Sequence, residues 1–282
     1  DEGAQPRRLL ISDGHPSNLS ECRWATDTHL VCIIFARADV AGDVLGSTTV
    51  ISVEAATGAV QRLSLRRGAH DQYADFRGGD IIDWLSADGG SILMTRNYVP
   101  EARVSTRLNE RREGLGVDRI NVATGRESPV EQPNPDAYAF VTDGQGHVRV
   151  REMMQQTSSG VQEQIKVYYR PVEGGDWRDL GTRSRLHEEG LRVEAVDPAS
   201  NSAIAFTPVN GRMAVVSVAL DGTGRQTTLF AHPQVDVDSL VRIGRNRRVV
   251  GVSYATDYRR SVLTDPGLAR MVSALSRALG GK

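Results

Sequence analysis

The sequence predicts an all-β chain built from repeated four-stranded antiparallel blades, the β-propeller architecture, with one helix at its C-terminal end. Three observations lead there. An anchor residue, a polar turn and an apolar strand recur five times, as Trp24-ATDTH-LVCIIF, Trp84-LSADGGS-ILMT, Phe140-VTDGQGH-VRVRE, Val196-DPASNSA-IAFT and Val241-RIGRNRR-VVGVSY, with anchors 60, 56, 56 and 45 residues apart. A second hairpin follows in most units. No long helical pattern separates the units, which argues against a parallel α/β sheet.

The turns after the anchors are rich in Asp, Asn, Gly and Ser, which tolerate turn geometry. The runs that follow are rich in Val, Ile and Leu, as strands are. The second hairpins are 50–65 with Thr57-Gly58, 117–130 with Thr124-Gly125, 165–180 with Gly174-Gly175, and 214–230 with Thr223-Gly224. In each, an apolar strand meets a glycine able to take positive φ, and a more polar strand leaves it. Two hairpins make four strands, and four-stranded units at this period describe blades. Large aromatics at the anchors, Trp24 and Trp84, are expected to wedge between blades. The terminal helix has Asp265 as its cap, Pro266 in its first turn, Leu268, Val272, Leu275 and Leu279 along one face, and Gly280 at its end.

The ends set the domain reading. Residues 3–11 read as the last strand of a blade, and the fifth unit has one hairpin's worth of strand before the helix. An open propeller exposes strand edges. Residues 1–282 are therefore expected to be an incomplete propeller domain, part of a larger ring. The other reading is a self-closing ring in which residues 3–11 complete the final blade.

Cys22 and Cys32 flank a hairpin centred near Asp27, which sets Trp24 opposite Leu30 and Cys22 opposite Cys32. Facing strand positions lie ~4.5–5.5 Å apart, within reach of a disulfide. Two buried thiols are the other reading. Neither cysteine lies in a C-x-x-C pair, so zinc is not expected.

The charge balance is even, 34 basic against 35 acidic residues, without the basic excess of a nucleic-acid binder. No apolar run reaches the ~18 residues of a membrane helix. Lysine occurs only at 166 and 282, the other basic residues being arginine, a composition typical of GC-rich coding.

Catalytic signatures are missing from the text of the sequence: no G-x-S-x-G elbow, no H-E-x-x-H, no EF-hand loop and no phosphate-binding lysine loop. No metal or other cofactor is expected. Histidines 15, 29, 70, 147, 187 and 232 are scattered, and the glycine pairs at 78–79, 89–90 and 174–175 read as hairpin turns. Asp83, Asp143, Asp197 and Asp238 recur near the anchors and read as turn caps rather than as a glycosidase or lactonase site. The most unusual loop is 96–114, RNYVPEARVSTRLNERREG, where a short turn would suffice. Long loops on rigid scaffolds often carry function. Its arginines, Arg103, Arg107 and Arg111 above all, are the candidate receivers of a carboxylate from a substrate or a neighbouring domain, against the alternative of a solvated, internally paired loop.

IIDWLSADGGSILMTRN, YYRPVEGGDWRDLGT and HPQVDVDSLVRIGRNRRVVGVSYATDYRRSVLTDP together resemble the N-terminal propeller of bacterial serine peptidases of the prolyl oligopeptidase family, over roughly Leu19 to Leu279. The resemblance implies a C-terminal α/β-hydrolase domain after residue 282 bearing the Ser, Asp and His, a propeller that caps and gates that site, short peptides as substrates, and a periplasmic or secreted location. It places no catalytic residue on this chain. A stand-alone propeller that binds a protein or peptide partner is the alternative.

Overall fold

In the computed structural model, residues 7–15, 17–40, 42–66, 68–85, 87–102, 109–154, 156–157, 160–161, 163–171 and 175–280 are described. The fold is all-β, of the β-propeller class: five successive antiparallel sheets and one C-terminal helix. The chain divides into two compact units, Asp1–Ala137 and Tyr138–Lys282.

The first unit holds two blades. Blade 1 comprises β1 (Ser17–Trp24), β2 (His29–Val40), β3 (Asp43–Glu54) and β4 (Val60–Arg62); blade 2 comprises β5 (Ile81–Asp83), β6 (Ser91–Tyr98), β7 (Gly114–Asn121) and β8 (Glu127–Asn134). The continuous apolar run of β2 follows from cover on both faces. Val31 and Ile33 join Val50, Ile92, Met94 and Ile120 between the two blades. Cys32, Leu30 and Ile34 face the other way, where Leu9 and Leu10 pack over Ile51 and Val53. Cys22 and Cys32 are partners in the β1–β2 register and form a disulfide.

The second unit holds three. Blade 3 comprises β9 (Ala137–Thr142), β10 (Val148–Met153), β13 (Gln164–Tyr169) and β14 (Arg178–Ser184), with β11 (Gln156–Thr157) and β12 (Gly160–Val161) as a separate ribbon between β10 and β13. Blade 4 comprises β15 (Arg192–Asp197), β16 (Ser202–Val209), β17 (Arg212–Ala219) and β18 (Gln226–Phe230). Blade 5 comprises β19 (Val237–Ile243), β20 (Arg248–Ala255) and β21 (Arg259–Leu263). The period-2 alternation of a strand splits blade 4 cleanly. Ala203, Ala205, Val216 and Val218 pack against Val150 and Val167 of blade 3. Phe206, Met213 and Val215 pack against Val237 and Val252 of blade 5.

Helix α1 (Pro266–Ala278) starts as expected: Asp265 accepts a hydrogen bond from the backbone N–H of Leu268, and Pro266 occupies the first turn. It buries none of its residues.

Four expectations are corrected. Blade 5 has three strands, because Arg259–Leu263 continues the sheet beyond a single hairpin. Residues 7–11 form no strand; Leu9 and Leu10 instead cover the outer apolar patch of blade 1, and Arg7 binds the carbonyls of Ala55 and Ala56. Residues 3–6 lie outside the described residues, as does Gly174. Trp24 is 46% exposed, so only Trp84 packs between blades 1 and 2. Gly78 and Gly79 form no hairpin turn but thread the connection between these blades. Gly79 has φ +98°, and a Cβ there would stand 2.2 Å from the Thr95 carbonyl oxygen, so only glycine passes.

Candidate functional site

Residues 68–80, in the connection from blade 1 to blade 2, pair with residues 100–102, which follow β6. Asp71 and Glu101 pair as an antiparallel bridge. The Gln72 N–H donates to Pro100 O at 3.0 Å, and the Ala102 N–H donates to His70 O at 2.8 Å. Thr48 anchors the other end: its N–H donates to Phe76 O at 2.9 Å and its hydroxyl accepts from the Gly78 N–H at 2.7 Å.

Between this connection and blade 1 lies an open cleft of about 570 Å³. Its walls carry the hydroxyl residues Ser47 and Thr49, the half-exposed rings of Tyr73 and Phe76, and the guanidinium groups of Arg62 and Arg77. Arg62 donates to Leu65 O at 3.3 Å. Arg77 lies 3.7 Å from Asp75. The carboxylates Asp71 and Asp75 line it as well, so aromatic faces stand beside charges of both signs and suit a ligand with an apolar body and a polar end.

The predicted arginine loop is divided. Arg103 and Arg107 lie outside the described residues. Arg111 is exposed, its N–H donating to Glu110 Oε1 at 2.9 Å, and it does not line the cleft. Its neighbour Arg112, singled out less by the sequence, is the structural member: it is clamped by Glu110 at 2.6 Å and lies 4.1 Å over the Tyr98 ring. Hydrogen bonds from the Arg112 side chain, with those from the Arg112 and Arg111 backbones, hold the Glu110 carboxyl down at about 2.

Beneath Arg112, Arg96 and Tyr98 alternate on one face of β6. Their cross-strand partners are Gly116 and Gly114, where a Cβ would meet the β8 backbone, Glu131 O at 3.0 Å and Asn134 O at 2.2 Å respectively. The Tyr98 hydroxyl donates to Asp118 Oδ2 at 2.5 Å. Arg96 lies 3.2 Å from the same oxygen and also contacts Glu127. Burial first, then the hydrogen bond to Asp118, holds the Tyr98 hydroxyl well above its ordinary range. Asp118 is thus shared by a buried phenol and a buried guanidinium, so removing it would strand both polar groups in the interior of the blade.

Three of the four recurrent aspartates serve as turn caps. Asp83 accepts from the Leu85 N–H, Asp143 from Gln145 and His147, and Asp197 from Ala199. Asp238 instead pairs with Arg259 at 2.6 Å. Among the described residues, no group of three or more His, Cys, Asp or Glu side chains is arranged to hold a metal, and no helix is long and apolar enough to cross a membrane.

No family model and no curated protein matches the chain. Solved structures do. TolB from Acinetobacter baumannii is 13% identical over 83% of this chain and 59% of its own, with a TM-score of 0.31. A luciferin-regenerating enzyme is 11% identical over 83% of this chain and 82% of its own, with a TM-score of 0.36. The tricorn protease is 12% identical over 87% of this chain and 30% of its own, with a TM-score of 0.39. The chain thus spans less than two thirds of the TolB and tricorn chains.

The cleft escaped the sequence reading because 68–78 (GAHDQYADFRG) is polar and aperiodic. The available signal was the pair Tyr73 and Phe76, two aromatics in a stretch with no strand to bury them.

Proposed function

We propose that this chain is a non-catalytic propeller domain that caps and gates the active site of a serine peptidase acting on short peptides. What carries the reading is the 232–266 run, the most telling part of the resemblance. It coincides with one complete structural passage, from the approach to blade 5 through β19, β20 and β21 to the cap of α1. The other two stretches likewise coincide with the β5–β6 and β13–β14 hairpins. On this reading the partner is an α/β-hydrolase domain of the same polypeptide, and the location is periplasmic or secreted, which suits the Cys22–Cys32 bridge. Arg103, Arg107 and Arg111 receive a substrate carboxylate.

The test is kinetic, on the gene product that contains this chain. Arg103→Ala, Arg107→Ala and Arg111→Ala combined are expected to raise KM for short peptides about tenfold with kcat unchanged. Cleavage of folded proteins as fast as of short peptides would refute gating.

A second reading, a stand-alone propeller that binds a protein or peptide, is favoured by the open cleft beside Tyr73 and Phe76. Peptide binding by the chain in the absence of any hydrolase domain in its gene product would select it.

A further inference from the structure

Blade 5 differs from the other four in one respect. In blades 1 to 4 the third strand is flanked by a fourth: β3 by β4, β7 by β8, β13 by β14 and β17 by β18. In blade 5 the third strand, β21, has β20 on one side and, among the described residues, no strand on the other. α1 begins directly after the Asp265 cap, adds no strand to the sheet and buries none of its residues. Accordingly β21 is exposed at Arg259, Arg260 and Ser261, whereas β17 is buried from Met213 to Val216.

The ladder fixes which backbone groups are left over. Thr264 N–H donates to Val250 O, and Thr256 N–H donates to Tyr258 O. The β20–β21 register runs between them without a bulge. Antiparallel strands alternate between residues that bond inward and residues that bond outward. Residues 260 and 262 therefore bond to β20, and the N–H and C=O of Arg259, Ser261 and Leu263 point away from it. Those groups have no backbone partner among the described residues.

Side chains set the chemistry of an occupant. Val262 packs with Phe230, Val252 and Val215 on the side facing blade 4. Arg260 stands two residues away on that same face, opposite Tyr254, and has no carboxylate partner among the described residues. On the opposite face Arg259 is already paired with Asp238.

We propose that the outer edge of β21 takes up an extended peptide segment of a partner protein as the fourth, antiparallel strand of blade 5. The segment places an apolar side chain beside Val262 and a carboxylate beside Arg260. Backbone hydrogen bonds to Arg259, Ser261 and Leu263 supply the attachment, and the two side-chain positions supply the selectivity. The proposal is independent of the peptidase reading, since it needs no hydrolase domain.

The experiment is titration of the 282-residue chain with a short capped peptide that carries valine and glutamate two residues apart, and so on one face, in the order Thr-Val-Thr-Glu-Thr, read by fluorescence anisotropy and amide hydrogen exchange. Binding is expected, with new protection at Ser261 and Leu263 and none added at Arg260 and Val262. N-methylation of the peptide at the residues that bond to β21 is expected to weaken binding at least about tenfold, and methylation of the intervening residues to leave it unchanged. Ser261→Pro removes an outward N–H and no ladder bond, so the sheet is retained and binding is lost. Arg260→Glu is expected to reverse the preference from glutamate to lysine peptides. The proposal is overturned if the peptide does not bind, if both methylated peptides bind alike, or if Ser261 and Leu263 are protected before peptide is added. It is overturned equally if the chain alone forms a concentration-dependent dimer that Ser261→Pro abolishes, which would give the edge to a second copy.

Discussion

Tyr98 donates its hydroxyl to Asp118 Oδ2 at 2.5 Å, in the interior of blade 2 and under the guanidinium of Arg112. The same oxygen is 3.2 Å from Arg96. Tyr98→Phe leaves Asp118 its charged partner, so the expected cost is about 1–2 kcal/mol. Asp118→Ala leaves a buried phenol without its acceptor and Arg96 with Glu127 alone, at about 3–5 kcal/mol. Urea unfolding followed by circular dichroism measures both. Equal costs for the two variants would contradict the network.

Glu110 gives the loop its pH dependence. Its carboxyl is held at about 2 in the folded chain, chiefly by hydrogen bonds from Arg112, against 4.5 ordinarily. A depressed carboxylate stabilises the fold above its unfolded value and loses that contribution as pH falls. The loss is expected between about pH 4.5 and pH 2, and is worth about 1 kcal/mol once solvent screening of this partly exposed pair is allowed for. Glu110→Gln is expected to flatten the stability profile over that window and to leave pH 6–8 slopes unchanged, as thermal unfolding across pH would show.

The blades were legible because their cues are local. An Asp or Asn turn followed by a strand apolar on both faces, such as LVCIIF, states both an element and its burial, and counting outward from Asp27 gave the Cys22–Cys32 register found in β1 and β2. Where the reading failed, a non-local contact decided. Residues 7–11 are apolar enough for a strand, yet Leu9 and Leu10 find a patch on blade 1 to cover. Trp24 has the anchor's spacing but sits at the end of an edge strand, half exposed. β21 begins Arg-Arg after a turn without glycine, so its pattern does not announce a strand; Val262 belongs to one because Val252 lies opposite. The arginine loop was noticed for its charge, but Glu110 ties down Arg112, and the adjoining cleft is made by a polar stretch with no periodicity to read.

The disulfide closes a short loop across a hairpin, with a sequence separation of 10. Cys22→Ser with Cys32→Ser is expected to cost about 2–3 kcal/mol by loop-closure entropy. Neither cysteine is free, so thiol titration of the unfolded, unreduced protein should find none. Two reactive thiols there would contradict the bridge.

Helix α1 is capped by Asp265 and fully buries none of its residues. Asp265→Ala removes the acceptor for the Leu268 N–H and the pairing with Arg248. Helical ellipticity is expected to fall and Leu268 amide exchange to quicken, while the melting of the sheets stays where it was. A parallel drop in sheet melting would show that the helix braces blade 5.

The proposed function divides the labour between this propeller and a hydrolase domain expected elsewhere in the polypeptide. A serine-directed fluorophosphonate probe tests it most directly, applied to the gene product containing this chain and to residues 1–282 alone. The account expects the larger protein to be labelled and the 282-residue chain to stay unlabelled. Labelling of residues 1–282 by themselves would contradict it.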